Sequence, residues 1–446
     1  MFTRNFDLMQ LNMNLNLTDN ASVTISSNGT SCPNWNTDAN YNVIKGINTS
    51  FNNLGTTPYY TKLAMSLSST YSTGFALAGE SYMFSLINFS NMTGSVNAGS
   101  STYYYNGCGF GTNSSAESYD DYRIDMIPNN STNGLYFSTP TVTFTTENGK
   151  KYANITINAN NRTGSDLSIS EFGIYTTRPT YLSSTSSRTS LYILLYRKVF
   201  SAVTIQAGAN FEFKDKIELK DYEGSNIGVS PSCVLTRNYY KMLDFFTYRQ
   251  GNYGTISTAP TEAQWTSSDD YDCVKALGVS GTSTGVNGYK YQWISKYNVS
   301  YGSSNYTSMY YLLTNNFNLI LGSNSTTPTY NDADLGSRLV TYNTAGYYAL
   351  PSWNTYKYSQ SVSSSKSISG DTMTYTRTYT ITNTSDSNIT IREYGLYNYY
   401  GTKSQYDSYF LTLRGVLPSD VVLEPNAVTT ITLTFTIPIR PNKPTT

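Results

Sequence analysis

The sequence predicts an all-β chain of two tandem antiparallel β-sandwich domains, jelly-roll or immunoglobulin-like, that arose by internal duplication. A repeat supports this prediction, because Ile169-Ser-Glu-Phe-Gly-Ile-Tyr175 returns as Ile391-Arg-Glu-Tyr-Gly-Leu-Tyr397 and the flanking segments also align. Composition supports it too. The chain has 43 Tyr and no His, Thr, Val and Ile are common, and these residues favour strands. Abundant Asn, Ser and Gly favour turns.

A second repeat sets the predicted domain boundary. Phe2-Thr-Arg-Asn-Phe6 opens the chain, and Leu235-Thr-Arg-Asn-Tyr239 follows the end of the first repeat. If both segments start a unit, the two domains cover residues 1–226 and 227–446, each within the usual size of a domain. The polar segment Asp221-Tyr-Glu-Gly-Ser-Asn226 is the predicted linker, because its residues favour turns.

The strands of each unit are predicted from alternating side chains, as one buried face of an antiparallel strand requires. In the last strand Thr alternates with Ile, Leu and Phe, and Pro438 and Pro441 then stop it. Several such strands with regular turns predict a sandwich or barrel. The predicted strands of the first unit are Tyr152–Asn158, Leu167–Glu171, Tyr192–Tyr196 and Phe211–Lys214. Those of the second unit are Thr374–Ile381, Ile389–Glu393, Tyr409–Leu413 and Thr429–Ile437.

Three residue types recur at equivalent places and form the repeat motif. The glycine would permit a bulge or a close backbone approach inside the strand. The glutamate and the arginine of the next strand would form an ion pair, which either braces adjacent strands or serves binding or catalysis. Bracing is the favoured interpretation, because both halves keep the pair within strand patterns. The motif residues are Glu171, Gly173 and Arg197 in the first copy and Glu393, Gly395 and Arg414 in the second.

The composition argues against several classes of function. The chain has 29 basic and 29 acidic residues, so it lacks the basic excess of a nucleic-acid binder or a membrane-surface patch. No apolar run approaches the ~20 residues that span a bilayer, and Met1–Leu8 lacks the layout of a signal peptide. We therefore expect a protein made in a cytoplasm. Its cysteines should be free and mostly buried thiols: Cys32, Cys108, Cys233 and Cys273.

Candidate catalytic and metal-binding groups are few. Without His, the Ser-His-Asp and Cys-His nucleophile systems and His metal ligands are excluded. The acidic clusters Glu117–Asp125 and Asp269–Asp272 would suit glycoside hydrolysis or Ca²⁺ binding, but the simpler interpretation is solvated loop acids. Gly107-Cys-Gly-Phe-Gly111 lacks the Lys and the strand–helix context of a phosphate-binding loop, and it is predicted to be an ordinary loop. We expect no enzymatic activity, no cofactor and no bound metal.

Aromatic side chains offer a different kind of site, because exposed rings of adhesins stack on sugars. The competing interpretation is that Tyr is the general core and interface residue of this chain, with its hydroxyl at a wet edge. That second interpretation is favoured for any single residue. The candidates for stacking are Tyr103-Tyr-Tyr105, Tyr399-Tyr400, Trp35, Trp265, Trp293 and Trp353.

The second half carries Ile391–Tyr397, Leu411–Leu417 and Val421–Ala427 in this order, followed by the Thr/Ile strand. This order resembles a module common in virion proteins of tailed bacteriophages. The upstream Leu321–Leu335 is similar to the glycine-serine stretch that often precedes the module. The Asn-, Tyr- and Thr-rich composition is similar to that of structural proteins of crAss-like phages of gut Bacteroidetes. The resemblance covers about 80–100 residues of each half.

The resemblance implies a non-enzymatic virion structural protein of the tail, neck or capsid surface, made in the host cytoplasm. Its partners would be other virion proteins, within a symmetric homo-oligomer or ring; neither nucleic acid nor a membrane is an expected partner. Two alternatives stay open. A receptor-binding adhesin for host surface glycan would group exposed aromatic side chains in a groove. A glycan depolymerase would place two carboxylates roughly 5–10 Å apart in a cleft.

Overall fold

The fold is known from a computed structural model, and the chain is predominantly β with several antiparallel sheets. At this level the all-β prediction is confirmed. The structure describes residues 1–15, 23–26, 28–37, 40–48, 55–62, 86–87, 89, 92–94, 106–137, 139–148, 150–181, 188–219, 227–231, 233–248, 262–266, 273–277, 289–293, 313, 319–341, 355–400 and 408–444.

The secondary structure is given in chain order. The first half contains α1 (Arg4–Asn14), β1 (Val43–Gly46), β2 (Tyr59–Lys62), β3 (Asn106–Gly111), β4 (Leu135–Phe137), β5 (Thr141–Glu147), β6 (Lys150–Asn161), β7 (Leu167–Tyr181), β8 (Arg188–Ile205) and β9 (Asn210–Leu219). The second half contains β10 (Gly228–Ser230), β11 (Cys233–Leu235), α2 (Arg237–Tyr248), α3 (Glu262–Thr266), β12 (Cys273–Leu277), β13 (Tyr289–Trp293), β14 (Leu319–Gly322), β15 (Val340–Thr341), β16 (Thr355–Tyr356), β17 (Tyr358–Ser369), β18 (Thr372–Asn383), β19 (Ile389–Tyr400), β20 (Ser408–Leu423) and β21 (Val428–Pro438).

Strand pairing follows the same order in both halves. In the first half, β6 pairs with β9 on one side and with β4 and β5 on the other, while a second sheet has the order β3-β7-β8. In the second half, β18 lies between β21 and β17, and β19 lies between β14 and β20. Strand β10 extends the first of these sheets beyond β21. The pairing of β5 to β9 is thus repeated by β17 to β21.

The core of the first half lies between its two larger sheets. Ile155 and Ile157 of β6, predicted to share a buried face, are each 1% exposed. Phe213 of β9 has its ring centroid 4.8 Å from that of Phe172 in β7 and 5.1 Å from that of Phe110 in β3. Close contacts between rings of facing sheets bury much apolar area per residue. The inner faces of the two sheets therefore pack against each other.

In each half, a buried asparagine at the end of a strand holds the turn that follows it. The side-chain amide of Asn161 donates to the carbonyls of Ser165 and Ile205, each at 2.8 Å. Asn383 makes the equivalent two hydrogen bonds, each at 2.9 Å, in the turn after β18. Buried polar groups need such partners, because leaving them unpaired is costly. Both turns are therefore fixed by one residue at the end of the preceding strand.

Helices α1 and α2 depart from the expectation of strands and loops alone. Each follows the threonine of the repeated Thr-Arg-Asn sequence. The hydroxyl of Thr3 donates to the carbonyl of Leu194 in β8 at 2.7 Å, and that of Thr236 donates to the carbonyl of Leu411 in β20 at 2.5 Å. The threonine thus fixes the start of each helix on the strand that carries the motif arginine.

The asparagine of the same repeat anchors each helix to a second strand. Asn5 donates to the carbonyl of Lys45 at 2.8 Å and accepts the Lys45 N–H at 3.0 Å. Asn238 makes the same pair of bonds with Lys275, also at 2.8 and 3.0 Å. The short sequence repeat from which the domain boundary was predicted is thus a repeated helix attachment.

The two halves contact each other where α1 meets α2. The hydroxyl of Tyr239 in α2 donates to Asn14 Oδ1 of α1 at 2.8 Å. Two backbone bonds cross in opposite directions: the Leu313 N–H donates to the Asn14 carbonyl at 3.1 Å, and the Ile87 N–H donates to the Thr247 carbonyl at 3.0 Å. The buried apolar cluster also continues across this junction. The halves are therefore packed together, not only joined by the chain.

The structure contradicts one sequence-based prediction and does not describe two of the segments named above. The loop prediction for Gly107–Gly111 is wrong, since these residues form most of β3 and pair with β7. The predicted linker 221–226 and the acidic segment 269–272 lie outside the described residues. No helix within the described ranges is long and apolar enough to cross a membrane.

Candidate functional site

The motif of the first half is a buried cluster of charges. Glu171 in β7 is fully buried, and Arg197 in β8 donates from Nε to Glu171 Oε2 at 2.9 Å. The same guanidinium donates from Nη1 to Asp121 Oδ2 at 2.8 Å. The other oxygen of Glu171 accepts the backbone N–H groups of Asn113 and Asp125 at 3.1 and 2.7 Å. Both carboxylate oxygens are therefore bound within the protein.

The second half repeats this cluster. Glu393 in β19 is fully buried, and Arg414 in β20 donates to its Oε2 from Nε at 2.9 Å and from Nη2 at 2.7 Å. Arg414 Nη1 donates to Asp332 Oδ2 at 2.7 Å. The backbone N–H groups of Gly336 and Ser337 reach the two oxygens of Glu393 at 3.2 and 2.9 Å. The same arrangement thus occurs in both halves. The arginine binds the motif glutamate and an aspartate, and the glutamate also accepts two backbone N–H groups of a long loop.

Electrostatics explain how the cluster tolerates burial. Burial raises the pKa of Glu171, while the backbone amides and Arg197 act in the opposite direction. For Arg197, burial alone would lower the pKa, but hydrogen bonds to Asp121 and Glu171 outweigh it and leave the pKa raised. A guanidinium between two carboxylates holds the loop residues 112–125 against β7 and β8. The arrangement can brace strands and a loop, which matches the favoured interpretation of the motif.

The motif glycines lie opposite the motif arginines, where space is short. Gly173 pairs with Arg197 and Gly395 with Arg414. A Cβ at Gly173 would lie 3.0 Å from side-chain atoms of neighbouring residues, and one at Gly395 would lie 2.6 Å from Leu411 Cδ1. Shifts in strand register occur on both sides of each glycine, before the glutamate's pair and near the following tyrosine. Each glycine itself pairs in register, so the shifts lie one or two residues from it, and its absent side chain makes room for neighbouring side chains.

Two further glycines were missed by the sequence reasoning. Gly111 in β3 pairs with Glu171, and Gly322 in β14 pairs with Glu393. A Cβ at either position would overlap Oε1 of the paired glutamate. The signal was present in the glycine-rich segment of β3, but a requirement for close approach to a buried carboxylate was not recognised in it.

The tyrosine that ends each motif also holds a loop. The Tyr175 hydroxyl accepts the backbone N–H of Ile124 at 2.7 Å. The Tyr397 hydroxyl accepts that of Leu335 at 2.9 Å. Burial raises the pKa of both phenols well above the ordinary value, so they remain neutral. The sequence signal was there, since the tyrosine is part of both copies of the repeat.

Three of the four carboxylates in the acidic cluster Glu117–Asp125 are bound within the fold. Glu117 accepts the Val199 N–H at 2.8 Å, Asp121 binds Arg197, and Asp125 contacts Arg123 at 2.8 Å. Within the described ranges, no group of three or more His, Cys, Asp or Glu side chains could hold a metal ion.

Two of the aromatic candidates are buried. Trp35 and Trp265 are 5% and 2% exposed, too little for stacking on a sugar ring. Instead each ring contacts a lysine ammonium, Lys45 and Lys275, both 5.1 Å from the ring centroid. The side chains of the remaining candidates, at 103–105, 293, 353 and 399–400, are outside the described part of the chain.

The outward side of one sheet in the second half consists almost wholly of hydroxyl side chains. In β18 the inward residues, such as Tyr379 and Ile381, are buried, and the alternate residues point outward. The strand register places these outward residues beside one another. We call this surface the hydroxyl face; it comprises Ser359, Ser361, Ser363, Ser365, Ser367 and Ser369 of β17, Thr372, Thr374, Thr376, Thr378, Thr380 and Thr382 of β18, and Thr430, Thr432, Thr434 and Thr436 of β21.

The equivalent surface of the first half is charged. Its ion pairs include Lys150 with Glu218 at 2.8 Å and Lys216 with Glu147 at 2.5 Å. All four side chains are exposed and lie on β5, β6 and β9. We call this surface the charged face. The two halves therefore share their buried motif and differ in what they present outward.

Cys32, Cys108 and Cys233 are free thiols, and the side chain of Cys273 in β12 is outside the described part of the chain. Cys32 and Cys108 are buried and Cys233 is half-buried, as expected for structural thiols. Comparison with family models, curated proteins and solved structures gives no match to this chain.

Proposed function

We propose that the protein is a non-enzymatic structural component of a tailed-bacteriophage virion, in the tail, neck or capsid surface. In this proposal its units, 1–226 and 227–446, are tandem β-sandwiches that arose by duplication and act through protein–protein interfaces. The resemblance of the 391–437 region to virion modules supports the proposal. The repeated strand pairing and the two equivalent charge clusters support the duplication.

The observation that carries the proposal is the contrast between interior and exterior. Both halves contain the buried Glu–Arg–Asp cluster, so the same interaction stabilises the fold of each half. Their outer sheet faces differ, one charged and one hydroxyl-rich. A duplicated unit that meets two different neighbours in an assembly would diverge in this way. Neutral, polar surfaces of this kind suit wet protein interfaces.

The charged groups of the motif also favour a structural role. Glu171 and Glu393 bind arginine and backbone amides through both carboxylate oxygens. A catalytic carboxylate must instead be able to reach a substrate proton or carbon. In both halves the motif therefore serves the fold.

Purified phage particles test the proposal. Mass spectrometry should find the chain among the virion proteins, at a copy number related to the symmetry of the tail, neck or head. A non-virion protein of the infected cell should be depleted through the same purification and serves as the control. Recovery of the chain only from infected-cell lysate, with none in particles, would contradict the proposal.

A receptor-binding role is a second candidate, favoured by the hydroxyl face. Its uncharged Ser and Thr side chains offer donors and acceptors to a neutral glycan. A glycan array should then show binding that Thr378→Glu abolishes and that Thr145→Glu, an outward substitution on the charged face, leaves intact. Absence of any binding by the unmodified protein would remove this candidate and leave the assembly role untouched.

A further inference from the structure

Among the strands that the structure describes, β17 lies at an edge of its sheet. It ends its sheet, whose order is β10-β21-β18-β17, and no other described strand pairs with its outer side. It runs for 12 residues, Tyr358–Ser369, and Ser361–Ser367 are exposed on both faces. Backbone N–H and C=O groups on the outer side of an edge strand can serve as a template for another strand. Lys366 is the one charged residue of β17, and this strand contains no Pro.

The same edge in the first half is protected. Its position is shared by two short strands, β4 and β5, with Pro140 between them. Near its far end, Glu147 and Lys150 place charges on either side of the turn. Short strands, proline and charges are the usual means of blocking edge-to-edge pairing. The edge of β17 is a single strand of 12 residues with no proline and one charge, Lys366, so it is blocked less than its counterpart, and the contrast between the halves indicates that this edge is used.

We propose that β17 pairs with β17 of a second copy, antiparallel about a twofold axis at Ser364. The inference deepens the proposed structural role and rests on it. The two sheets would join into one, with β17 of each copy at the centre and β10 at each end. The hydroxyl faces of the two copies would then form one continuous surface. An isologous contact of this kind closes on itself and gives a dimer, not a fibre.

The sequence of β17 is complementary to itself in this register. Antiparallel pairing about Ser364 sets Ser361 against Ser367 and keeps all serines of the hydroxyl face on one side, as the strand period of two requires. It sets Lys366 against Val362, so no like charges face each other. Val362 is 39% exposed, and the aliphatic stem of the partner's Lys366 would cover it. The exposed run Ser361–Ser367 is centred on this axis.

Disulfide trapping tests both contact and register. Directly opposed residues of antiparallel strands have Cα atoms about 4.5–5.5 Å apart, which a disulfide bridges without distortion. Under mild oxidation, Ser364→Cys should give a covalent dimer, and so should the double variant Ser361→Cys with Ser367→Cys. Ser361→Cys alone is the matched control and should stay monomeric, because its own copy would lie six residues away along the partner strand. The unmodified protein controls for the native cysteines.

The outcomes are distinct. A Ser364→Cys protein that remains monomeric, or a Ser361→Cys control that dimerises equally well, overturns the inference. Ser364→Asp supplies an independent test: it opposes two like charges at the axis and should shift the protein from dimer to monomer in light scattering, while Ser361→Asp should not. Both positions are exposed, so circular dichroism should be unchanged. If particles contain the chain but these variants behave as the unmodified protein, the structural role stands and the edge pairing fails.

Discussion

Removing the arginine of one buried cluster is the sharpest test of the bracing role. In Arg414→Met the stem of the side chain is kept but the guanidinium is lost. Glu393 would keep only the amides of Gly336 and Ser337, and Asp332 would lose its cation. The side chains of Arg414 and Glu393 are 5% and 0% exposed, so water cannot replace the lost partner. Breaking a buried pair by removing one partner costs about 3–5 kcal/mol.

We expect the lower part of that range, about 3–4 kcal/mol, because Asp332 is 18% exposed and stays partly solvated. Urea unfolding followed by fluorescence measures the loss of unfolding free energy. Arg392→Gln is the matched control. Arg392 is the neighbour of Glu393 in β19 and forms an exposed ion pair with Asp420 at 2.6 Å. Its loss should be far smaller, because exposed pairs are screened by solvent.

The bracing role is refuted if Arg414→Met lowers the free energy of unfolding by no more than Arg392→Gln does. Arg197→Met should lower the free energy of unfolding by a similar amount, because its partners are equivalent. A double variant, Arg414→Met with Glu393→Gln, should lose less than the sum of the single losses, because the unpaired buried charge is removed. Additive losses would show that the two residues do not interact as a pair.

Three further predictions use other features. Gly111→Ala and Gly322→Ala should each lower the free energy of unfolding in urea by about 1–3 kcal/mol, because the new Cβ overlaps a buried carboxylate. The control Gly228→Ala, whose new Cβ would lie 3.5 Å from the nearest neighbouring atom, should change it by less than about 0.5 kcal/mol. Equal losses at all three sites would contradict this prediction. Cleavage at a specific protease site inserted within residues 221–226 should give two fragments that co-elute in native size-exclusion chromatography and separate in denaturant, because α1 and α2 are packed together. Fragments that separate without denaturant would show that the junction is weak. Burial raises the pKa of Cys233 to about 12. This thiol should therefore stay protonated at pH 8 and react slowly with iodoacetamide, as measured by peptide mass spectrometry. Labelling as fast as in the guanidinium-unfolded protein would contradict this prediction.

Local patterns predicted the repeated strands well. Alternation at Ile155 and Ile157 placed one face of β6 in the core, and the paired motifs placed Glu171 beside Arg197. These features depend on neighbours in sequence or on a period of two, which a sequence displays directly. Most observed strands extend further than predicted at both ends, and β7 and β19 extend only beyond their predicted C-terminal ends, since pairing with adjacent strands continues beyond the clear pattern.

Features that depend on distant contacts were not predictable. Asp121 and Asp332 complete the charge clusters from 76 and 82 positions away from their arginines. Helix α1 is rich in Asn and Met within a chain that favours strands, and tertiary bonds at its start hold it in place. The glycines of β3 suggested a loop, but Gly111 is required where β3 passes the buried carboxylate of Glu171. In each case tertiary structure overrides the local preference.

A cryo-EM map of the whole particle tests the central claim most directly. We expect density for this chain at a symmetric position in the tail, neck or capsid surface, with both halves fitted as β-rich units and their outer faces against different neighbours. The claim is contradicted if particles carry no density for the chain while infected cells contain the protein.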